Sequence, residues 1–337
     1  MAAPVDLSDP AWFLRDYRPE QDGFVFSHVA LEDLTRPAFL DQRMGLDAEA
    51  VQIAAADVLD ATRPAATPGL LFHTAFCGST LLSRALEAPP RAVSLKEPLV
   101  LHALARVQLA GRWNAAAQDR LRAALALLAR PWAPGGRVLV KPANQANGLL
   151  PQILAAAPQA PAVLLYSDLR EFLVSCLKKG PEAEVPIRWM AQALLPFTRL
   201  PARLGIDPRA PFNLIEACVL AWYAQMELYA QALEHDHADR LRTLDFATVL
   251  AAPVPTVERC ARWLGLGSEG VGARVASTFG RESKSQTPYD PTQRAAEREQ
   301  VLQAHGALVE RALAWAEAAV QPAAITPRAW KPLTAPA

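Results

Sequence analysis

From Gly69 onward the chain is paced by short apolar runs that stop abruptly and give way to helix-like segments. The runs are GLLFHTA (Gly69–Ala75), AVSL (Ala92–Leu95), RVLVK (Arg137–Lys141), AVLLYS (Ala162–Ser167) and RLRTLDF (Arg240–Phe246). Four of them are continuously apolar, the pattern of strands covered on both faces. The stretches between them carry helical periodicity, as in QDRLRAALALLAR and LREFLVSCLKKG, the second closing on Lys-Lys-Gly as a helix C-terminus does. This alternation predicts an α/β fold, a parallel sheet of about five strands wrapped by helices. Ligands of such sheets sit beyond the carboxyl ends of the strands, so chemistry is expected at that edge.

The flanks read differently. Residues 1–66 form a preamble in which GFVFSHVAL (Gly23–Leu31) suits a strand and PAFLDQRM (Pro37–Met44) a short helix, with ATRPAATPG as a linker and the rest irregular. The main domain is expected over residues 67–320, followed by a tail over 321–337. Within it, residues 186–236 hold two helical patterns and no strand, which suits a helical lid.

Composition narrows the function. A hydrophobic content of 51% supports a substantial core, while 34 basic residues balance 34 acidic ones. A neutral chain is not a general nucleic-acid binder, so an anionic ligand has to be gripped locally. The four cysteines are far apart and lack C-x-x-C spacing, as expected for reduced intracellular thiols. The acidic, proline-broken start and the lack of any apolar run near ~18 residues lead to the expectation of a cytoplasmic protein with no membrane span. The Ala, Arg and Pro usage leads, on composition alone, to the expectation of a GC-rich bacterial genome.

Four places can carry chemistry. A helix starting near Ser79 presents free N–H groups and a positive dipole end. In the turn Cys77-Gly78-Ser79-Thr80-Leu81, Gly78 admits close backbone approach and Ser79 and Thr80 add hydroxyls. The full G-x-x-x-x-G-K-[ST] pattern is absent, because Ser79 stands in the lysine place; the turn reads equally as an ordinary capped strand-to-helix connection. Glu97, just past the second strand, suits a general base or a first-turn glutamate. Lys141 ends the third strand and suits neutralisation of a leaving group. Ser175 lies in the helix after the fourth strand, whose polar residues also suit a solvated face. Cys77 stands at a helix N-terminus, which suits a lowered thiol pKa, but the sequence shows no His partnered with it. His73 reads as a packed core residue, and His235 and His237 as a solvated turn. Trp189, Met190, Trp222 and Tyr223 read as core, or else as the wall of an apolar acceptor pocket.

Taken in order, these segments resemble the sulfotransferases that use 3′-phosphoadenosine 5′-phosphosulfate (PAPS), particularly the bacterial and tyrosylprotein branches. FCGSTLLSRAL is similar to their 5′-phosphosulfate loop, and LKEPLVL to the segment that supplies the catalytic glutamate. VLVKPANQANGLLPQILAAAPQAPAVLLYSDLREFLVS is similar to their strand–lysine–helix unit followed by the 3′-phosphate strand. RTLDFATVLAAPVPTVERCARWLGL and RESKSQTPYDPTQR are similar to late family segments, so the resemblance spans about Gly69 to Arg294. It departs at two positions: Phe76 stands where the family has Lys or Arg, and Ser167 where it has the 3′-phosphate Arg. Two lost charged hydrogen bonds amount to about 3–6 kcal/mol unless other cations replace them; Lys96, Arg84, Arg170 and Lys284 are the candidates.

The resemblance implies a P-loop-type sheet and sulfuryl transfer from PAPS, as co-substrate, to a hydroxyl or amine on a small-molecule or peptide acceptor. Glu97 would deprotonate the acceptor, and Lys141 would balance charge on the leaving oxygen. The Cys77–Leu81 turn would cradle the phosphosulfate, and Ser175 with Arg170 or Lys284 would meet the 3′-phosphate. No metal is expected, since positioning and electrostatics supply most of such catalysis. Two alternatives stay open: a P-loop phosphotransferase, and a catalytically weakened relative that binds a nucleotide or a partner.

Overall fold

The computed structural model describes residues 5–41, 49–62, 66–235, 239–280, 291–324 and 330–333. Its strands are β1 (Trp12–Arg18), β2 (Gly23–His28), β3 (Ala50–Ala54), β4 (Gly69–His73), β5 (Ala92–Lys96), β6 (Arg137–Lys141), β7 (Ala162–Tyr166) and β8 (Leu241–Asp245). The last five form one parallel sheet in the order β5-β6-β4-β7-β8. The chain is therefore the α/β protein that its apolar runs predict. β6 has its expected bounds. β4 stops at His73, short of the expected Ala75, because the backbone turns left-handed at Ala75 (φ 62°) and Phe76 (φ 48°) and cannot stay extended.

Both faces of this sheet are covered, which is why its strands lack polar alternation. Leu70, Phe72, Val93, Leu95, Val138, Val140 and Leu164 point to one side, into a core shared with the helices Leu99–Leu109, Ala115–Leu128 and Leu150–Ala156. Their neighbours Leu71, Ala92, Leu139, Val163, Leu165 and Leu244 point to the other, against the helices Ser79–Leu86, Pro253–Trp263 and Val271–Phe279. The region expected as a lid holds helices joined by turns, with no strand among its described residues, and builds a third core. There the helices Pro181–Leu194 and Leu214–Glu234 pack with Leu169–Lys179 and with Val309 and Ala312 of the helix Pro291–Trp315. β8 is covered at its outer edge by the C-terminal segment, with Thr243 donating to Lys331 O at 2.7 Å and accepting from the Leu333 N–H at 2.8 Å.

The preamble is not irregular. β1, β2 and β3 form an antiparallel sheet, and Trp12, Leu14, Tyr17, Phe24 and Phe26 enter the same core as β4 and β5. β1 escapes a pattern search because its register slips between Leu14 and Asp16, which breaks the period of two. Residues 37–41 form bends in place of the expected helix, and residues 42–44 of that segment lie outside the described residues.

Buried polar contacts fasten this small sheet to the main domain. The Arg130 guanidinium is buried among the carbonyls of Leu7, Asp9, Trp12 and Leu127, at 2.6 to 2.8 Å. Burial holds its pKa down to about 10. Arg120 pairs through two nitrogens with Asp22, whose Oδ1 also accepts from the Tyr17 hydroxyl at 2.9 Å. Burial, reinforced by the bond to Asp22, pushes the Tyr17 phenol up from 10.0 to about 12. An acid raised on folding contributes stability that is complete below its unfolded value and is lost as pH climbs through its folded one. Urea titrations are thus expected to show the midpoint falling between pH 10 and 12, with a shallower fall in Tyr17→Phe. Equal pH slopes in the two proteins would refute the linkage.

Candidate active site

The connection from β4 runs out to β5, and that from β6 crosses back over β4 to β7, so the crevice of this sheet opens at the carboxyl end of β4. Three side chains converge there. Lys141 ends β6, Glu97 follows β5, and His73 ends β4. Lys141 Nζ donates to Glu97 Oε1 at 2.6 Å; His73 Nε2 lies 3.2 Å from Lys141 Nζ and 3.6 Å from Glu97 Oε1. All three are buried.

Local backbone geometry aims Glu97. Lys96 and Lys141 are paired in register, and the Glu97 N–H donates to Lys141 O at 2.7 Å. Glu97 itself adopts φ 62°, a left-handed conformation that costs a non-glycine residue ~1–2 kcal/mol. The strain turns the carboxylate toward the lysine. Neighbouring Lys96 faces elsewhere and is bound to Glu87 Oε1 at 2.5 Å and Thr35 O at 3.0 Å. Burial raises the Glu87 carboxyl and lowers the Lys96 ammonium, each against the pull of its partner.

The turn after β4 is equally specific. Ala75, Phe76 and Gly78 all have positive φ. A Cβ on Gly78 would stand 2.0 Å from Cζ of Phe246, so the ring of Phe246 demands the glycine independently of any ligand. Asn147 Nδ2 donates to His73 O at 3.0 Å and to Gln225 Oε1 at 3.1 Å, while Gln225 Nε2 donates to Thr74 O at 3.3 Å. The first bond of the Ser79–Leu86 helix runs from the Leu82 N–H to Gly78 O at 3.0 Å, so the N–H groups of Ser79, Thr80 and Leu81 lie ahead of it.

A cavity of about 700 Å³ joins these parts. Gly78, Ser79, Thr80, His73 and Glu97 line it, along with the apolar Phe39, Phe76, Leu99, Pro186 and Trp189 and the polar Asp41, His102, Arg106, Asn144 and Gln145. Lys141 is not part of this wall; its Nζ lies 5.7 Å from the ring centre of Phe39, which is.

Of the residues singled out from sequence, Glu97, Gly78, Ser79 and Thr80 meet at the cavity, with Lys141 directly bonded to Glu97. The others are placed differently. The Cys77 side chain faces the core, with Sγ 3.9 Å from Leu165 O, and burial raises its thiol. Desolvation there outweighs the helix end that was expected to lower it. Leu81 packs its side chain on the core formed around Leu71 and Leu82, leaving only its N–H for a ligand. Arg170 is half-buried and bound through both terminal nitrogens to Glu310. Ser175 is half-buried, away from the cavity wall, on the Leu169–Lys179 helix. Lys284 lies outside the described residues. Lys96 is committed to Glu87, and Arg84 donates to Arg36 O at 2.9 Å. Trp189 lines the cavity and is 42% exposed, whereas Met190 belongs to the core around Leu194.

His73 is as buried as its core reading predicts, and it also joins the Glu97–Lys141 pair. Its signal was positional: a polar residue closing an otherwise apolar strand at the edge where Glu97 and Lys141 also end. Asn147 and Gln225 carried no comparable signal.

No protein-family model matches the chain, and no curated protein matches it. Solved structures do resemble it. One is the sulfotransferase domain from the curacin biosynthetic pathway, 13% identical, with 66% of this chain and 81% of that chain covered and a TM-score of 0.40. Another is the sulfotransferase from Alicyclobacillus acidocaldarius, 14% identical, with coverage of 73% and 96% and a TM-score of 0.38. Neither likeness assigns a chemistry to this chain. Among the described residues no helix is long and apolar enough to cross a membrane, and no cluster of three or more His, Cys, Asp or Glu is placed to hold a metal.

The buried pair has a testable energetic signature. Removing one partner leaves an uncompensated charge, whereas removing both does not. Lys141→Met is expected to lower stability by ~3–5 kcal/mol, and the double variant Glu97→Gln/Lys141→Met to recover part of that loss in urea unfolding. A single variant as stable as the double would contradict the pairing.

Proposed function

We propose that the protein is a transferase that moves a sulfuryl group from PAPS to a hydroxyl or amine of a small-molecule or peptide acceptor. The observation that carries this reading is the sharing of one cavity by a helix N-terminal turn and a buried carboxylate already paired with a lysine. PAPS supplies the activated sulfuryl group; the chain has to hold the donor's anionic end, receive the acceptor's proton and keep water out.

Glu97 is the base. Its Oε1 is occupied by Lys141, so an acceptor proton goes to Oε2. Lys141 acts on the charge of Glu97, and contact between its ammonium and a leaving oxygen requires it to turn from that carboxylate. The Ser79, Thr80 and Leu81 N–H groups and the hydroxyls of Ser79 and Thr80 suit a phosphosulfate in number and kind. Phe39, Leu99 and Trp189 suit an acceptor with an apolar body.

The fit is weaker at the adenosine end. Ser167 is buried with its Oγ unbonded among the described residues, and Arg170 would have to exchange Glu310 for a 3′-phosphate. Phe76 packs edge-on against Phe172 at 5.8 Å, on the cavity wall where a cation would help the donor. That contact favours the second reading, a weakened relative that binds a nucleotide without turning it over.

Glu97→Gln separates the two. Transfer from PAPS to a panel of phenols and amines is expected to fall by ~10²–10⁴ in this variant. Calorimetric affinity for adenosine 3′,5′-bisphosphate should stay within about threefold of the parent, since each 1.4 kcal/mol corresponds to a factor of ten. Unchanged turnover would remove Glu97 from the chemistry. Bisphosphate binding without turnover in the parent would leave the binding relative.

A further inference from the structure

We infer that His73 is a positioning residue that joins the Glu97–Lys141 pair to the anion-binding turn. The inference uses the transfer reading only for its activity readout; its structural content stands on distances within the free protein.

The two ring nitrogens do different work. Nδ1 accepts from the Ala75 N–H at 3.3 Å, which puts the proton of the neutral imidazole on Nε2. That N–H faces Glu97 Oε1 at 3.6 Å and Lys141 Nζ at 3.2 Å. An imidazole N–H and an ammonium are both donors and cannot bond each other. Placed side by side, they are driven onto the one carboxylate between them. Both contacts fall on Oε1, which leaves Oε2 to take a proton from an acceptor.

The other end of the ring touches the backbone that shapes the turn. Ala75 is the first of its left-handed residues, and Phe76 and Gly78 follow. His73 O and Thr74 O are held in turn by Asn147 and Gln225. The imidazole therefore has little freedom to move without disturbing either the turn or the ion pair. A change in the turn on binding an anion is passed through Ala75 and the ring to Glu97 and Lys141. The other ionisable groups on the cavity wall are Asp41, His102 and Arg106; behind the wall, burial keeps the Cys77 thiol and the Tyr229 phenol protonated, and Asn147 and Gln225 are neutral.

Substitution can take the two nitrogens apart. Asn places an acceptor where Nδ1 stands and nothing at Nε2; Gln reaches the Nε2 position with an amide N–H. His73→Asn is expected to keep calorimetric affinity for adenosine 3′,5′-bisphosphate within about threefold while kcat for transfer from PAPS falls ~10–100-fold, the low end of what positioned proton transfer contributes. His73→Gln is expected to regain most of that kcat. Asn turning over like the parent, or Gln as impaired as His73→Ala, would overturn the inference.

A second measurement needs no turnover. In nitrogen-15 imidazole spectra of the full chain, with the His73 signals assigned by their loss in His73→Asn, the Nε2–H tautomer is expected near neutral pH. Both Glu97→Gln and Lys141→Met should shift it. An Nδ1–H tautomer, or signals indifferent to both substitutions, would overturn the inference even in an active enzyme. Absence of PAPS turnover in the parent would defeat the transfer reading and leave the spectra to decide on His73.

Discussion

The site depends on keeping a carboxylate and an ammonium together out of water. Two buried ions repay their desolvation only when the geometry is close and the remaining bonding capacity is used. Here the closeness comes from the sheet itself. β5 and β6 are paired to their last residues, the Glu97 N–H is tied to Lys141 O, and the left-handed backbone of Glu97 swings its side chain onto the lysine. The consecutive residues Lys96 and Glu97 each find an opposite charge, in opposite directions. A strand end with both signs side by side is thereby kept from pairing with itself.

The turn after β4 shows the same economy of support. Left-handed residues in close succession are costly without glycine, and such strain persists only where surroundings over-determine it. The surroundings are visible: Phe246 against Gly78 on one side, and Asn147 with Gln225 on the carbonyls of His73 and Thr74 on the other. Gln225 belongs to the Leu214–Glu234 helix, so the all-helical layer does more than roof the cavity. It fixes the backbone from which a ligand would be held.

The parallel sheet was legible because burial on both faces writes an uninterrupted apolar run, and the edge where Glu97 and Lys141 stand followed from strand polarity alone. The N-terminal sheet was only partly legible. β2 is a plain apolar run, whereas the slipped register of β1 erases its alternation. Side-chain direction was beyond reach of the pattern. Nothing in the sequence distinguishes Lys96, turned to Glu87, from Lys141, turned to Glu97, or says that Arg170 finds Glu310. The packed position of His73 was legible, but its place beside Glu97 and Lys141 was not: at the end of an apolar strand, burial and participation in a polar cluster look alike, and here both hold.

The sheet order carries a consequence for how the chain is made. β4 is the first of the five parallel strands to leave the ribosome but lies at their centre, flanked by β6 and β7. Neither neighbour exists until Arg137–Lys141 and then Ala162–Tyr166 have been synthesised. Until then an apolar strand waits with both edges bare, and the strained turn beyond it lacks both Asn147 and Gln225. Non-local pairing of this kind delays folding and leaves early segments open to wrong partners. β2, complete before β4 appears and already able to pair with β1, offers the emerging strand its first apolar surface. The N-terminal sheet thus stands in position to shelter the centre of the fold while the rest of the sheet is still to come.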